Sequence, residues 1–279
     1  MSSEIDDDPT RRIVRPEPVL PRGGLRLNAY GVSECGPVRQ GNEDTFALDL
    51  EVGLFVVADG MGGHAAGEIA SRLAVESIVT YIARSDGDED LTWPFGLETS
   101  LTIPANRLRT ALHLANQRVF RAAASDPAYR GMGTTVVAVL VTTSGFVVAH
   151  AGDSRVYQHL NGQLTPLTED DSLLAALGSA IDPSSDTYAH HPLRNVVTSV
   201  LGGDERLVGH VTERPRTPGT RLLLCSDGVH GVLGDDRIGA ILAGQGDPRS
   251  HAEQLVAAAI AAGGRDNATA LVVADPEVA

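Results

Sequence analysis

No lysine occurs in this chain, so each of its 22 basic residues is an arginine. Without a side-chain amine there is no P-loop lysine, no protein-kinase lysine and no Schiff-base nucleophile. What remains is the guanidinium, a planar fork suited to phosphate. Cysteine is almost as scarce. Cys35 and Cys225 are far apart and in no ligand-like spacing, so neither a disulfide framework nor a zinc cluster is suggested. Cys225 sits inside an apolar run and reads as a small core residue. Such sparse cysteine fits a reducing cytoplasm. The N-terminus lacks an apolar signal region, and no run reaches the roughly 18 apolar residues of a membrane span. Positive charge is in deficit as well. With a net charge of −14 and a pI near 5.0, the chain is not composed to bind nucleic acid. These absences describe a cytoplasmic protein, neither secreted nor membrane-spanning, whose partners are metals and proteins.

With 279 residues, 42% of them apolar, the chain can build one large domain or two small ones. Residues 1–24 mix an Asp6-Asp7-Asp8 triplet with arginines and prolines and read as a disordered tail. Residues 25–275 alternate strand-like runs with helical blocks. Val75, Ile78 and Ile82 follow helical spacing in a block from about Ala65, and Leu108, Leu112, Ala115 and Val119 do so in the next. Met132–Val141, Gly145–His150 and Arg155–Leu160 are separated by short turns, as in an antiparallel meander. Residues 168–204 then form a long turn-rich stretch that reads as a flap beside a site. Further strands are expected at Val208–Arg214, Arg221–Ser226 and Ala268–Val273. A helix is expected from Ser250, with Ser250 and Glu253 as a capping box. Strands and helices do not alternate regularly, which favours an α+β fold of antiparallel sheets covered by helices over a parallel one.

Four aspartates stand where apolar runs meet glycine or asparagine turns: Asp44, Asp59, Asp227 and Asp266. Two end a strand and two begin one, so alternating strand directions would gather them on one sheet edge. Carboxylates clustered this way repel unless a cation lies between them, and oxygen ligands favour Mg²⁺ or Mn²⁺.

The motifs around them occur in a fixed order: Val38-Arg39-Gln40-Gly41-Asn42-Glu43-Asp44, Val57-Ala58-Asp59-Gly60-Met61-Gly62-Gly63-His64, Gly131-Met132-Gly133-Thr134-Thr135, Ala151-Gly152-Asp153-Ser154-Arg155, Cys225-Ser226-Asp227-Gly228 and Arg265-Asp266-Asn267. This set closely resembles the bacterial branch of the metal-dependent protein phosphatases of type 2C. The resemblance implies a four-layer α/β/β/α sandwich and hydrolysis of phosphoserine and phosphothreonine on proteins at two Mn²⁺ or Mg²⁺ ions, with a third ion in some members. It implies a partnership with Ser/Thr kinases and their substrates, and the protein is expected to act as a monomer. Carried over by motif, Asp59 bridges both metals and the Gly60 carbonyl binds one. Asp227 and Asp266 hold the other, Glu43 and Asp44 act directly or through water, and Asp153 serves the third. Arg39 matches the arginine that grips the substrate phosphate. In such a centre a hydroxide bridging the two ions attacks phosphorus directly. Animal relatives carry a histidine directly after Asp-Gly where this chain has Met61, so the general acid is open. His64 and a metal-bound water are the alternatives. Thr134 and Thr135 are read as structural.

Overall fold

The computed structural model describes residues 11–14, 26–62, 66–88, 91–173 and 196–275. Its elements in chain order are β1 (Arg11–Val14), β2 (Asn28–Glu34), β3 (Asp44–Asp49), β4 (Leu54–Met61), α1 (Ala66–Arg84), α2 (Ile103–Ser125), β5 (Gly133–Thr134), β6 (Val136–Val141), β7 (Gly145–Ala151), β8 (Arg155–Leu160) and β9 (Gln163–Pro166). They continue with β10 (His210–Pro215), β11 (Arg221–Cys225), α3 (Asp227–Ala243), α4 (Pro248–Ala261) and β12 (Ala268–Ala274).

Two antiparallel sheets result, one ordered β1-β2-β12-β11-β8-β9 and the other β10-β7-β6-β4-β3. Their inner faces pack Phe55, Val57, Val137, Val139 and Val148 against Val156, Leu222, Leu224 and Leu271. Because strand side chains alternate, the neighbouring residues Val56, Ala58, Val136 and Ala138 face outward and are covered by Ile78 and Ile82 of α1 and Leu108, Leu112 and Val119 of α2. On the far side Val32, Leu223 and Val272 lie under Ile238 and Leu242 of α3 and Leu255 and Val256 of α4. Helices on both outer faces of paired sheets make the expected α/β/β/α sandwich.

Several expectations are corrected. Within the segment expected to be a structureless tail, Arg11–Val14 adds an edge strand antiparallel to β2. The α4 cap is Asp247, whose side chain accepts the Ser250 N–H at 2.8 Å, with Pro248 preset in the first turn. Ser250 is therefore a donor inside the helix and caps nothing. The sequence reading also missed α3. Its glycines dilute the apolar periodicity, and Gly234, at φ 70°, kinks it. Residues 174–195, most of the expected flap, lie outside the described residues. Among the described residues no helix is long and apolar enough to cross a membrane.

Candidate metal centre

Asp44 opens β3 and stands directly opposite Asp59 of β4 in the ladder. Asp227 and Asp266 belong instead to the other sheet, at the start of α3 after β11 and just before β12. The expectation of a single sheet edge is thus corrected. The four meet across the sandwich, where the same end of each sheet contributes two. Hydroxyls stitch this junction together. Ser226 Oγ donates to Asp44 Oδ2 at 2.8 Å, and Thr269 Oγ1 donates to the same oxygen. Asp227 lies in hydrogen-bond contact with Asp59.

The backbone that carries Asp59 is held from β5 and β6. Its N–H donates to Thr135 Oγ1 at 3.1 Å and its carbonyl accepts from Thr134 Oγ1 at 2.8 Å. Thr134 and Thr135 are indeed structural, in that they position the central carboxylate. Gly60 does not serve a left-handed turn; it permits close approach. A Cβ there would lie 2.0 Å from the Gly67 carbonyl oxygen, so only glycine lets α1 begin so near β4. A Cβ on Gly67 would in turn meet Glu43 Oε1 at 2.4 Å. Glu43 is tucked beneath the first turn of α1, where the Gly67 backbone N–H bonds its carboxylate.

Asp153 follows β7, nine-tenths buried, and its carbonyl accepts from His230 Nε2 at 2.9 Å. Arg39 reaches over the mouth of the cluster and donates to Asp266 Oδ2 at 2.7 Å, both side chains about half exposed. His64 lies outside the described residues. The sequence reading passed over Asn267. Its Oδ1 accepts the Glu43 N–H at 2.9 Å and its Nδ2 donates to the carbonyls of Cys35 and Gly41, tying the loop of Arg39 to β12. Its place beside Asp266 in the Asp-Asn motif was the available signal.

Electrostatically the group is under load. Burial, then repulsion from Asp44, Asp227, Asp153 and Asp266, raises Asp59 well above the usual carboxylate range. Burial pushes Asp44 up to about 7 against two stabilising hydroxyls. Burial followed by Asp227 pushes Asp153 up to about 7. Asp227 is raised by burial and then by Asp266, and Glu43 by burial. Buried oxygen donors that oppose one another's ionisation fit hard divalent cations.

Residues 38–261 match the family model for protein phosphatase 2C. The chain belongs to that family. This type 2C chain is 35% identical over 256 residues to serine/threonine protein phosphatase PstP of Mycobacterium tuberculosis, covering 92% of itself but only 46% of that relative. It thus spans about half the length of the mycobacterial relative. It is 33% identical to serine/threonine phosphatase stp of Listeria welshimeri, over 88% of itself and 95% of that protein. The crystal structure of the Mycobacterium tuberculosis phosphatase PstP/Ppp superposes with a TM-score of 0.77 at 33% identity, over 90% of this chain and 99% of that one. A PstP catalytic domain solved in complex with two manganese ions gives a TM-score of 0.75 at 30% identity, over 90% and 99% of the two chains.

Proposed function

We propose that this type 2C chain is a metal-dependent serine/threonine protein phosphatase, hydrolysing phosphoserine and phosphothreonine on proteins with two Mn²⁺ or Mg²⁺ ions and a third beside Asp153. The observation that carries this reading is the convergence of Asp44, Asp59, Asp227 and Asp266 from both sheets under an arginine at the mouth. Asp59, Gly60, Asp227 and Asp266 would hold the ions, with Glu43 and Asp44 beneath them. Bound ions supply the positive charge that activates a water and stabilises both the entering and departing oxygens of an in-line displacement at phosphorus.

The protein's own part is placement. Thr134 and Thr135 fix the Asp59 backbone, and Ser226 and Thr269 fix the Asp44 carboxylate. Arg39 is held charged by Asp266 and can turn its remaining N–H donors to a phosphoryl group as the charge on that group redistributes. A serine alkoxide leaving such a site needs a proton, for which His64 is the side-chain candidate. Substrates would be the products of Ser/Thr kinases. With net charge −14, nucleic acid is not a partner, and the protein is proposed to act as a cytoplasmic monomer in which both cysteines stay reduced. The likeness to PstP and stp supports the reading.

The test is hydrolysis of a phosphothreonine peptide with Mn²⁺, with Mg²⁺ and with excess EDTA, beside Asp59→Asn. Phosphate release that is lost in EDTA and in the variant is expected. Turnover by Asp59→Asn equal to wild type would overturn the assignment of Asp59, and no release with either metal would overturn the activity.

A further inference from the structure

We infer that His150, Asp171 and His210 form a second cation site, built for a borderline transition ion such as Zn²⁺ and separate from the carboxylate centre. His150 on β7 and His210 at the start of β10 are direct partners in the antiparallel ladder, so both rings project from the same face of the sheet. The rings stack with centroids 4.7 Å apart and planes 20° from parallel. Asp171 reaches them from the chain beyond β9. Its Oδ1 accepts from His210 Nε2 at 2.9 Å and its Oδ2 from the Gly152 N–H at 3.0 Å.

One ligand atom from each of the three lies within 4.8 Å of the others. Tetrahedral zinc ligands at about 2.0–2.1 Å from the ion stand about 3.3 Å apart, so small side-chain rotations close the set on one ion. Two imidazoles with one carboxylate select for Zn²⁺ and its neighbours over Mg²⁺, and three protein ligands leave a position open. The buried His150 ring is already oriented, its Nε2 bonded to the Glu169 carbonyl at 3.0 Å, as the outer nitrogen of a metal-binding histidine commonly is. Burial also lowers its pKa, which favours the neutral, ligating form. A cleft of about 490 Å³ lined by His150, Asp171, Thr198 and His210 gives an ion its way in.

The position has consequence. Leu173 N–H bonds the Val196 carbonyl and Thr198 N–H bonds the Asp171 carbonyl, both at 2.7 Å, so Asp171 stands at the root of segment 174–195. An ion here would pin that root, and through Gly152 it would also brace the turn that carries Asp153. A clamp made only of hydrogen bonds is the competing account of the same three residues.

Metal binding read directly separates the two, and it does not depend on the phosphatase reading. The full chain, as wild type in excess Mg²⁺ and as Asp59→Asn, would be titrated with Co²⁺ while visible absorption is followed, then challenged with Zn²⁺. One equivalent of Co²⁺ with the intense bands of low coordination, displaced by Zn²⁺, is expected. His210→Ala and Asp171→Asn should each weaken that binding at least tenfold. His210 is half exposed, and asparagine at 171 keeps an acceptor for Gly152, so both variants should fold as wild type does. Undiminished Co²⁺ binding in both variants, or only a weak six-coordinate spectrum in wild type, would overturn the inference.

Discussion

Replacing Asp44 by asparagine should stabilise the metal-free protein while impairing the metal-loaded one. Burial raises this carboxyl from 3.8 to about 7. Between those values the unfolded chain has released its proton and the folded chain has kept it, so stability falls as pH rises through this window and the loss is complete above pH 7. That rise, from 3.8 to about 7, corresponds to roughly 4 kcal/mol. Asparagine keeps an oxygen to accept from Ser226 and Thr269 but forms weaker, uncharged hydrogen bonds, which returns about 1 kcal/mol. The net gain of about 3 kcal/mol translates into a melting temperature about 6–12 °C higher for a domain of this size. Circular-dichroism melts in EDTA at pH 8 would show it, and the advantage over wild type should shrink towards pH 4. With saturating Mn²⁺ the order should reverse, because wild type gains more from the ion. A variant that melts at or below wild type in EDTA at pH 8 would refute the reasoning, since it would mean that the ionised carboxylate carries no net cost there.

Three further outcomes are expected. Arg39→Ala should lower kcat/KM on a phosphopeptide by about 10²–10³-fold, the scale of losing one donor to developing charge, and Arg39→Lys should recover little of it because a point charge cannot fork; steady-state kinetics with Mn²⁺ would check both. Thr135→Val removes the acceptor of the Asp59 N–H and a bond to Ser154, and should cost about 1–3 kcal/mol in a urea titration. Gly67→Ala drives a methyl against Glu43 Oε1, and should cost about 1–3 kcal/mol by overpacking while weakening Mn²⁺ binding, measured by calorimetry.

What could be read from the sequence was what lies along one stretch of chain. The spacing of Ile78 and Ile82, or of Leu108 and Leu112, gave the faces that α1 and α2 bury. The meander β6–β8 followed from its short turns. The glycine-rich α3 has too weak a stripe to register, and Asp247 caps α4 only because Pro248 shifts the start of the helix by two residues. For the site, the motifs named the carboxylates but not their arrangement, since strand polarity alone cannot say that Asp44 and Asp227 come from different sheets. Asn267, Ser226 and Thr269 act over more than 180 residues of separation, and no local pattern marks such partners. His150 and His210 were likewise invisible as a pair until the β7–β10 ladder set them side by side.

The strand β12 enters its sheet between β2 and β11, two strands that precede it in the chain by more than 200 and by about 45 residues. On a ribosome, the first sheet therefore stays open at its centre until residues 268–274 have emerged, and Asp266 and Asn267 arrive only with them. A chain interrupted anywhere before this point lacks both the central strand and Asp266, one of the proposed metal ligands. The carboxylate cluster is thereby incomplete until β12 has been made.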